Sequence, residues 1–357
     1  MPKVEKGLNE VLVEAGVEKL KTRWNGPVVD GVSYSSLCKW ITCRERFRLE
    51  RVEGWVTVDK WSKPIGFGNM WHICEEYSVQ GLDWKTRLKD YAKIECKKYP
   101  LDQEQIEKYY QICIRQFEVY LDYYKDEPFP EEAQEMKLRV KYPLPSGDFV
   151  ILTGYIDGVE KTKNSLKVWE NKTKGVINVE AISNRLLFDD FQAMLYCAAL
   201  REEFKVCPEQ IVYNVIRRPL SGGKGTIKQR KPTKSNPRGE STSEFYERLL
   251  NEYIKVEPSE YFRRFTLEVN PHTLNKFETE CLQPILQQVV NWWKSIENDP
   301  FDPWNDSSYS TDGSKKPNPL HFRSPSGIYN PLAEGRYTDL DEFLMTGNPV
   351  GLRKKSD

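Results

Sequence analysis

The sequence predicts a mixed α/β (α+β) domain: helices first, then a small, mainly antiparallel sheet, a helix, another strand and more helices. Three observations lead there. Residues 33–125 place apolar side chains at helical spacing, residues 136–174 switch to runs rich in Val, Ile, Leu and Tyr, and the chain after residue 188 alternates between the two patterns. With 357 residues, 39% of them hydrophobic, there is ample length for a buried core.

The elements follow in order. Residues 5–22 carry a weak helical pattern, with Leu8, Val11, Leu12 and Ala15 on one side. In SYSSLCKWITCRERFRLERVEGW, Ser35 or Ser36 is expected to cap a helix that ends before Gly54 and turns Lys39, Arg44, Arg46, Arg48 and Arg51 outward. Gly66 and Gly68 are expected to precede the helix NMWHICEEYSVQG, with further helices over 82–99 and 103–125. MKLRVKYPLP, DFVILTGYIDGVEK and SLKVWENKTK read as strands, with KTKN as a hairpin turn. A helix over about 188–206, the strand QIVYNVIRR, a helix over 243–256, the strand EYFRRFTLEV and a helix over 271–296 complete the domain. The expected division is a helical extension over 1–32, a main domain over 33–297 and a loop-rich tail over 298–357.

Composition narrows the function classes. Lys+Arg and Asp+Glu are equal at 53 each, which argues against coating nucleic acid by bulk charge and leaves room for local patches. No apolar run approaches the roughly 20 residues of a membrane span, and the opening MPKVEKGLNEVL lacks a signal peptide's apolar core, so a cytoplasmic location is expected. Eight scattered Cys without a CxxC pair read as free thiols. Cys38 and Cys43, five apart on one helix, point about 140° from one another and do not suit a shared metal.

The chemistry concentrates in GYIDG and VWENKTKG. Asp157 stands near the end of one strand, and Glu170 and Lys172 share a face of the next because strand side chains repeat every two residues. Two carboxylates can hold a hard cation such as Mg²⁺, and a neighbouring Lys can orient a water or meet a phosphate oxygen, which suits phosphodiester hydrolysis. A surface hairpin with a cross-strand salt bridge uses the same residue types. Two further signals bear on the choice. In GFGNMWHICEE, His72 follows Gly68 by four residues with Glu75 and Glu76 on the next turn; in DDFQAMLYCAAL, Gln192 and Tyr196 lie one helical turn apart and project together.

Taken in order, GFGNMWH, GYID, WENKTK and QAMLY resemble the PD-(D/E)xK nuclease superfamily, in its RecB-like, exonuclease-type branch, over roughly residues 33–200. The resemblance implies a restriction-endonuclease-like core. It implies that His72, Asp157 and Glu170 bind Mg²⁺ or Mn²⁺, that Lys172 positions the attacking water, and that Gln192 and Tyr196 line the catalytic site, with Glu76 as an outer partner of His72. It also implies DNA as substrate, roles in recombination, repair or phage DNA processing, a helicase or annealing protein as candidate partner, and the host cytoplasm if phage-encoded. One departure stands out: many such nucleases tie an iron–sulfur cluster with a Cys in the first helix and three near the C-terminus. Cys43 holds the first position, but no Cys follows Cys281, and no cluster is expected.

Residues 221–239 carry six basic side chains and no acid, and their Gly and Pro content predicts a mobile loop. Lys224, Lys228, Arg230, Lys231, Lys234 and Arg238, together with Lys174 on the catalytic face, are the expected DNA-binding residues, gripping phosphates without reading sequence. Lys174 could equally meet solvent. Trp292 and Trp293 read as helix-packing residues. The alternative function is a catalytically silent DNA-binding or scaffolding relative of the same fold; an unrelated α/β binding protein would require His72, Gln192 and Tyr196 to be coincidences.

Overall fold

The computed structural model describes residues 24–42, 44–52, 54–57, 61–127, 134–161, 166–177, 190–219, 227–234, 236–296 and 352–354. The N-terminal helix expected over 5–22, Cys43, the last three residues of the KTKN turn, Lys224 and most of the tail lie outside them. Two compact units interleave in sequence: one takes residues 1–59, 138–154 and 275–357, the other 60–137 and 155–274. Two of the crossings fall inside strands, between Lys137 and Leu138 and between Gly154 and Tyr155.

The first unit contains helix α1 (Tyr34–Thr42), the helical turn α2 (Arg44–Phe47), which runs on as a π turn to Val52, and the short strand β1 (Trp55–Thr57). The serine that caps α1 is Ser33, ahead of both serines expected from sequence. Leu37 N–H donates to the Ser33 carbonyl, and Ser36, one turn in, exchanges hydrogen bonds with Ser33. The core of this unit is aromatic: Trp24 meets Phe47 at 5.3 Å and Trp293 at 4.9 Å, and Trp292 meets Trp40 at 5.2 Å and Phe47 at 5.7 Å, all edge to face. Each such pair adds about 0.5–1.5 kcal/mol beyond its buried area. Trp292 and Trp293 are therefore packing residues, as their helical setting suggested.

The second unit opens with α3 (Lys63–Val79), α4 (Trp84–Lys98) and α5 (Gln103–Tyr123). Gly66 and Gly68 lie inside α3, not ahead of it. Pro64 sits in the first turn, and a Cβ at Gly66 would fall 2.2 Å from the Trp61 indole, so the absent side chain makes room for that ring. A Cβ at Gly68 would sit 3.5 Å from Thr173 Oγ1, an ordinary contact. Trp71 is the hub of this core, 5.1 Å from Phe117 and 5.2 Å from Tyr120.

Strands β2 (Gln134–Pro143), β3 (Phe149–Lys161), β4 (Leu166–Lys174), β5 (Gln210–Arg217) and β6 (Phe262–Glu268) form one sheet in sequence order. The β3–β4 and β5–β6 pairs are antiparallel, whereas β4 and β5 run parallel. Helix α6 (Phe191–Phe204) lies between β4 and β5 in the chain, the crossover that a parallel pair requires. The mixed, mainly antiparallel sheet is thus as the sequence indicated. Further along come α7 (Thr242–Arg248), closed at its start by a Ser241–Glu244 capping box, then α8 (Pro271–Phe277) and α9 (Gln283–Ile296). In the first unit, Leu352–Lys354 of the tail form β7, which pairs antiparallel with β1. No helix among the described residues is long and apolar enough to cross a membrane.

Candidate active site

The site forms where β3 parts from β4. Their ladder ends at the pair Gly158–Trp169, and Asp157 and Glu170 are the next residues on the two strands. The Asp157 carboxylate reaches across: its Oδ2 accepts the Asn171 backbone N–H at 2.7 Å. Its other oxygen, Oδ1, lies 3.3 Å from His72 Nδ1, contributed by α3. His72 and Asp157, far apart in sequence, therefore meet, as the motif order implied.

Glu170 and Lys172 do share a face. Lys172 Nζ donates to Glu170 Oε1 at 2.5 Å and to Gln192 Oε1 at 2.7 Å, and Gln192 Nε2 donates to the Tyr196 hydroxyl at 3.1 Å. The one-turn spacing of Gln192 and Tyr196 on α6 produces that last contact. Asp190 caps α6 by accepting from the Gln192 and Ala193 backbone N–H groups, and it accepts from the Tyr213 hydroxyl at 3.0 Å.

Burial sets the electrostatics. Glu170 is 2% exposed, and its Oε2 has no hydrogen-bond partner among the described residues. Burial raises its carboxyl well above the ordinary range, a push that Lys172 opposes and the Asp157 charge reinforces. For Lys172, burial works to lower the pKa, but Glu170, Asp190 and Asp157 outweigh it and hold the ammonium above its usual value. Lys174 is pushed the other way, by burial and then by Lys172 and Arg218. Burial also raises the Tyr196 hydroxyl, keeping it protonated and able to donate as well as accept.

A divalent cation fits this donor set. An unpartnered carboxylate oxygen on Glu170 beside Asp157 is the kind of acidic, water-poor site a hard cation relieves. Among the described residues no three His, Cys, Asp or Glu side chains form a ready-made metal cage. Mg²⁺ needs none, since it keeps several waters and takes one or two carboxylates plus substrate phosphate.

The described residues of the basic segment form neither helix nor strand, as its Gly and Pro content indicated. These residues, 227–234 and 236–239, are tied to Arg248, which donates to both oxygens of the adjoining Glu240 at 2.6 and 2.8 Å and to the Lys228 carbonyl at 2.9 Å. Arg238 pairs with Glu244 at 2.6 Å, and Arg230 lies 3.8 Å from Glu252, both at the exposed surface. Gly239, at φ +72°, packs where a Cβ would strike Pro232. Lys228, Lys231 and Lys234 are exposed and make no ion pair among the described residues. The anchor, Arg248, lies on the following helix, outside the segment's own composition.

Sequence reasoning missed Asp190, Asn214 and the inward role of Glu75. Asp190 had a signal, an Asp just ahead of an apolar helix. Of the two acids after His72, Glu75 is buried and Glu76 is exposed.

Beyond the geometry, a family model for the PD-(D/E)XK nuclease superfamily matches residues 31–305. No curated protein matches the chain.

Proposed function

Because the chain belongs to the PD-(D/E)XK nuclease superfamily, we propose that it is a divalent-metal-dependent deoxyribonuclease that hydrolyses phosphodiester bonds at the open end of β3 and β4. The finer assignment is a RecB-like exonuclease in recombination, repair or phage DNA processing, acting in the cytoplasm, with a helicase or annealing protein as partner. What carries the reading is one set of contacts: His72 to Asp157, Asp157 to the Asn171 N–H, and Glu170 through Lys172 and Gln192 to Tyr196. A surface salt bridge would recruit Lys and Glu, but it has no need of a buried Glu170 or of Gln192 and Tyr196.

Asp157 and Glu170, with His72 beside Asp157, would hold Mg²⁺ or Mn²⁺, which when bound lowers the pKa of a water and neutralises charge growing on the phosphate. The protein's own groups do the positioning. Lys172 has three protons; one goes to Glu170 and one to Gln192, leaving the third for the attacking water or a phosphate oxygen. Tyr196 fixes the Gln192 amide, so the ammonium does not drift. Lys174 continues the catalytic strand toward the DNA backbone, and the anchored loop after β5 offers Lys228, Lys231 and Lys234 to phosphates.

The test is incubation with linear and circular, single- and double-stranded DNA in Mg²⁺ or Mn²⁺, beside Lys172→Ala. Metal-dependent degradation lost in the variant is the expected result. DNA binding without cleavage by the wild type would point to a silent scaffold instead, and neither binding nor cleavage would defeat both readings.

A further inference from the structure

Behind the Glu170–Lys172 face, the sheet hides a second polar cluster. Asn171 and Asn214 are register partners on parallel β4 and β5. Asn214 is 0% exposed, and Glu75 of α3 approaches it from the helix side. Asn214 Nδ2 donates to Glu75 Oε1 at 2.6 Å and to Asn171 Oδ1 at 2.9 Å. The Tyr120 hydroxyl, 2.8 Å from the same nitrogen, accepts from Arg264. Two asparagines and a glutamate in a sheet–helix interface are costly beside the apolar residues that would fill it equally well.

Asn171 connects this cluster to the site. It is the residue between Glu170 and Lys172, and its backbone N–H is the donor to Asp157 Oδ2. Its side chain is gripped on one side of the sheet while its amide holds the catalytic aspartate. Fixing both ends of Asn171 fixes the pleat that sends Glu170 and Lys172 to the opposite face.

We infer that Asn214, braced by Glu75, is a positioning residue: it clamps Asn171 and thereby sets the spacing of Asp157, Glu170 and Lys172. This deepens the nuclease reading above and rests on it. The clamp reaches the site through the Asn171 backbone, so its loss should disturb the geometry of metal and water and leave DNA binding intact.

The experiment compares full-length wild type with Asn214→Leu, Asn214→Ser, Glu75→Leu and Glu75→Gln. It reads thermal melting, Mn²⁺ affinity by calorimetry, and kcat and KM on linear duplex DNA. Losing the support behind a metal ligand typically costs about 10–100-fold in affinity or activity. Asn214→Leu should therefore lose kcat and Mn²⁺ affinity in that range while KM for DNA moves by about twofold or less. Glu75→Leu should follow it, and Glu75→Gln, whose amide oxygen still accepts from Asn214, should recover most of both. A folded Asn214→Leu with wild-type kcat and Mn²⁺ affinity overturns the inference, as does a Glu75→Gln variant no better than Glu75→Leu. Should Asn214→Leu fail to fold, Asn214→Ser and the Glu75 pair decide by the same criteria. Wild type that cleaves no DNA defeats the nuclease reading; Mn²⁺ affinity then decides the clamp alone, weakened in Asn214→Leu if it exists and unchanged or absent throughout if it does not.

Discussion

Lys172 Nζ donates to Gln192 Oε1 at 2.7 Å, tying β4 to the helix that follows it. The bond takes one of the ammonium's three protons and restricts its swing. Gln192→Ala frees Lys172 to rotate about Glu170 alone, and misplacing a catalytic group by about 1 Å costs about 100-fold. Single-turnover cleavage by Gln192→Ala should be slower by about 10–100-fold with DNA affinity kept. Tyr196→Phe, which removes only the group that steadies Gln192, should lose less. Equal rates in all three proteins would remove the pair from the mechanism.

Burial, with the Asp157 charge nearby, pushes the Glu75 carboxyl from its ordinary 4.5 up to about 8. The folded protein then holds a proton that the unfolded chain has released, so the contribution is full below pH 4.5 and is lost as pH rises toward 8. Glu75→Gln carries no such group. In urea unfolding at pH 5.5 and 8.5, wild type should lose at least about 1 kcal/mol more stability than Glu75→Gln, since one pKa unit is worth about 1.4 kcal/mol. Glu170 titrates with the same sign in both proteins and cancels in the comparison. Parallel pH profiles would contradict the burial of a protonated Glu75.

The two glycines of α3 separate cleanly. Gly66→Ala drives a methyl into the Trp61 indole, and overpacking of this kind costs about 1–3 kcal/mol. Gly68→Ala meets only ordinary contact with Thr173 and gains helix propensity, about 1 kcal/mol at most. Thermal melting should fall for the first and hold or rise for the second; the reverse order would show that Gly68 is the tight position.

Lys228, Lys231 and Lys234 should act on DNA by neutralising phosphates. Replacing all three by Ala should weaken binding similarly across sequences and flatten the dependence of log affinity on log salt by about 0.9 for each phosphate left without its lysine. Arg248→Ala should have a related effect by another route, because it releases the Glu240 and Lys228 anchors and loosens the arm that presents the lysines. An unchanged salt slope in the triple variant would exclude the loop from the DNA path.

What the sequence disclosed and what it hid follow from range. Glu170 and Lys172 on one strand face, and Gln192 and Tyr196 on one helix turn, obey local periodicities, so their alignment was readable without coordinates. His72 and Asp157 became partners through the order of motifs. Asn214, in the middle of QIVYNVIR, gives no local sign of its role: that depends on the parallel register that seats it beside Asn171 and below Glu75. Likewise, Pro and Gly in the basic segment signalled the irregular backbone of its described residues, while the Arg248 contacts to Lys228 and Glu240 come from a later helix.

The proposed chemistry turns on Glu170 and Asp157 holding a metal that cleaves phosphodiester bonds only when bound. The decisive measurement is single-turnover hydrolysis of linear DNA by wild type and Glu170→Gln, titrated with Mg²⁺ and quenched with chelator. Glu170→Gln keeps the side chain's size and an oxygen that can accept from Lys172 but removes the charge a cation needs. Cleavage by wild type should rise with Mg²⁺, stop on chelation and fall by about 1,000-fold or more in the variant. Cleavage that persists in chelator, or a Glu170→Gln protein as fast as wild type, would contradict a metal-dependent site built on these two carboxylates.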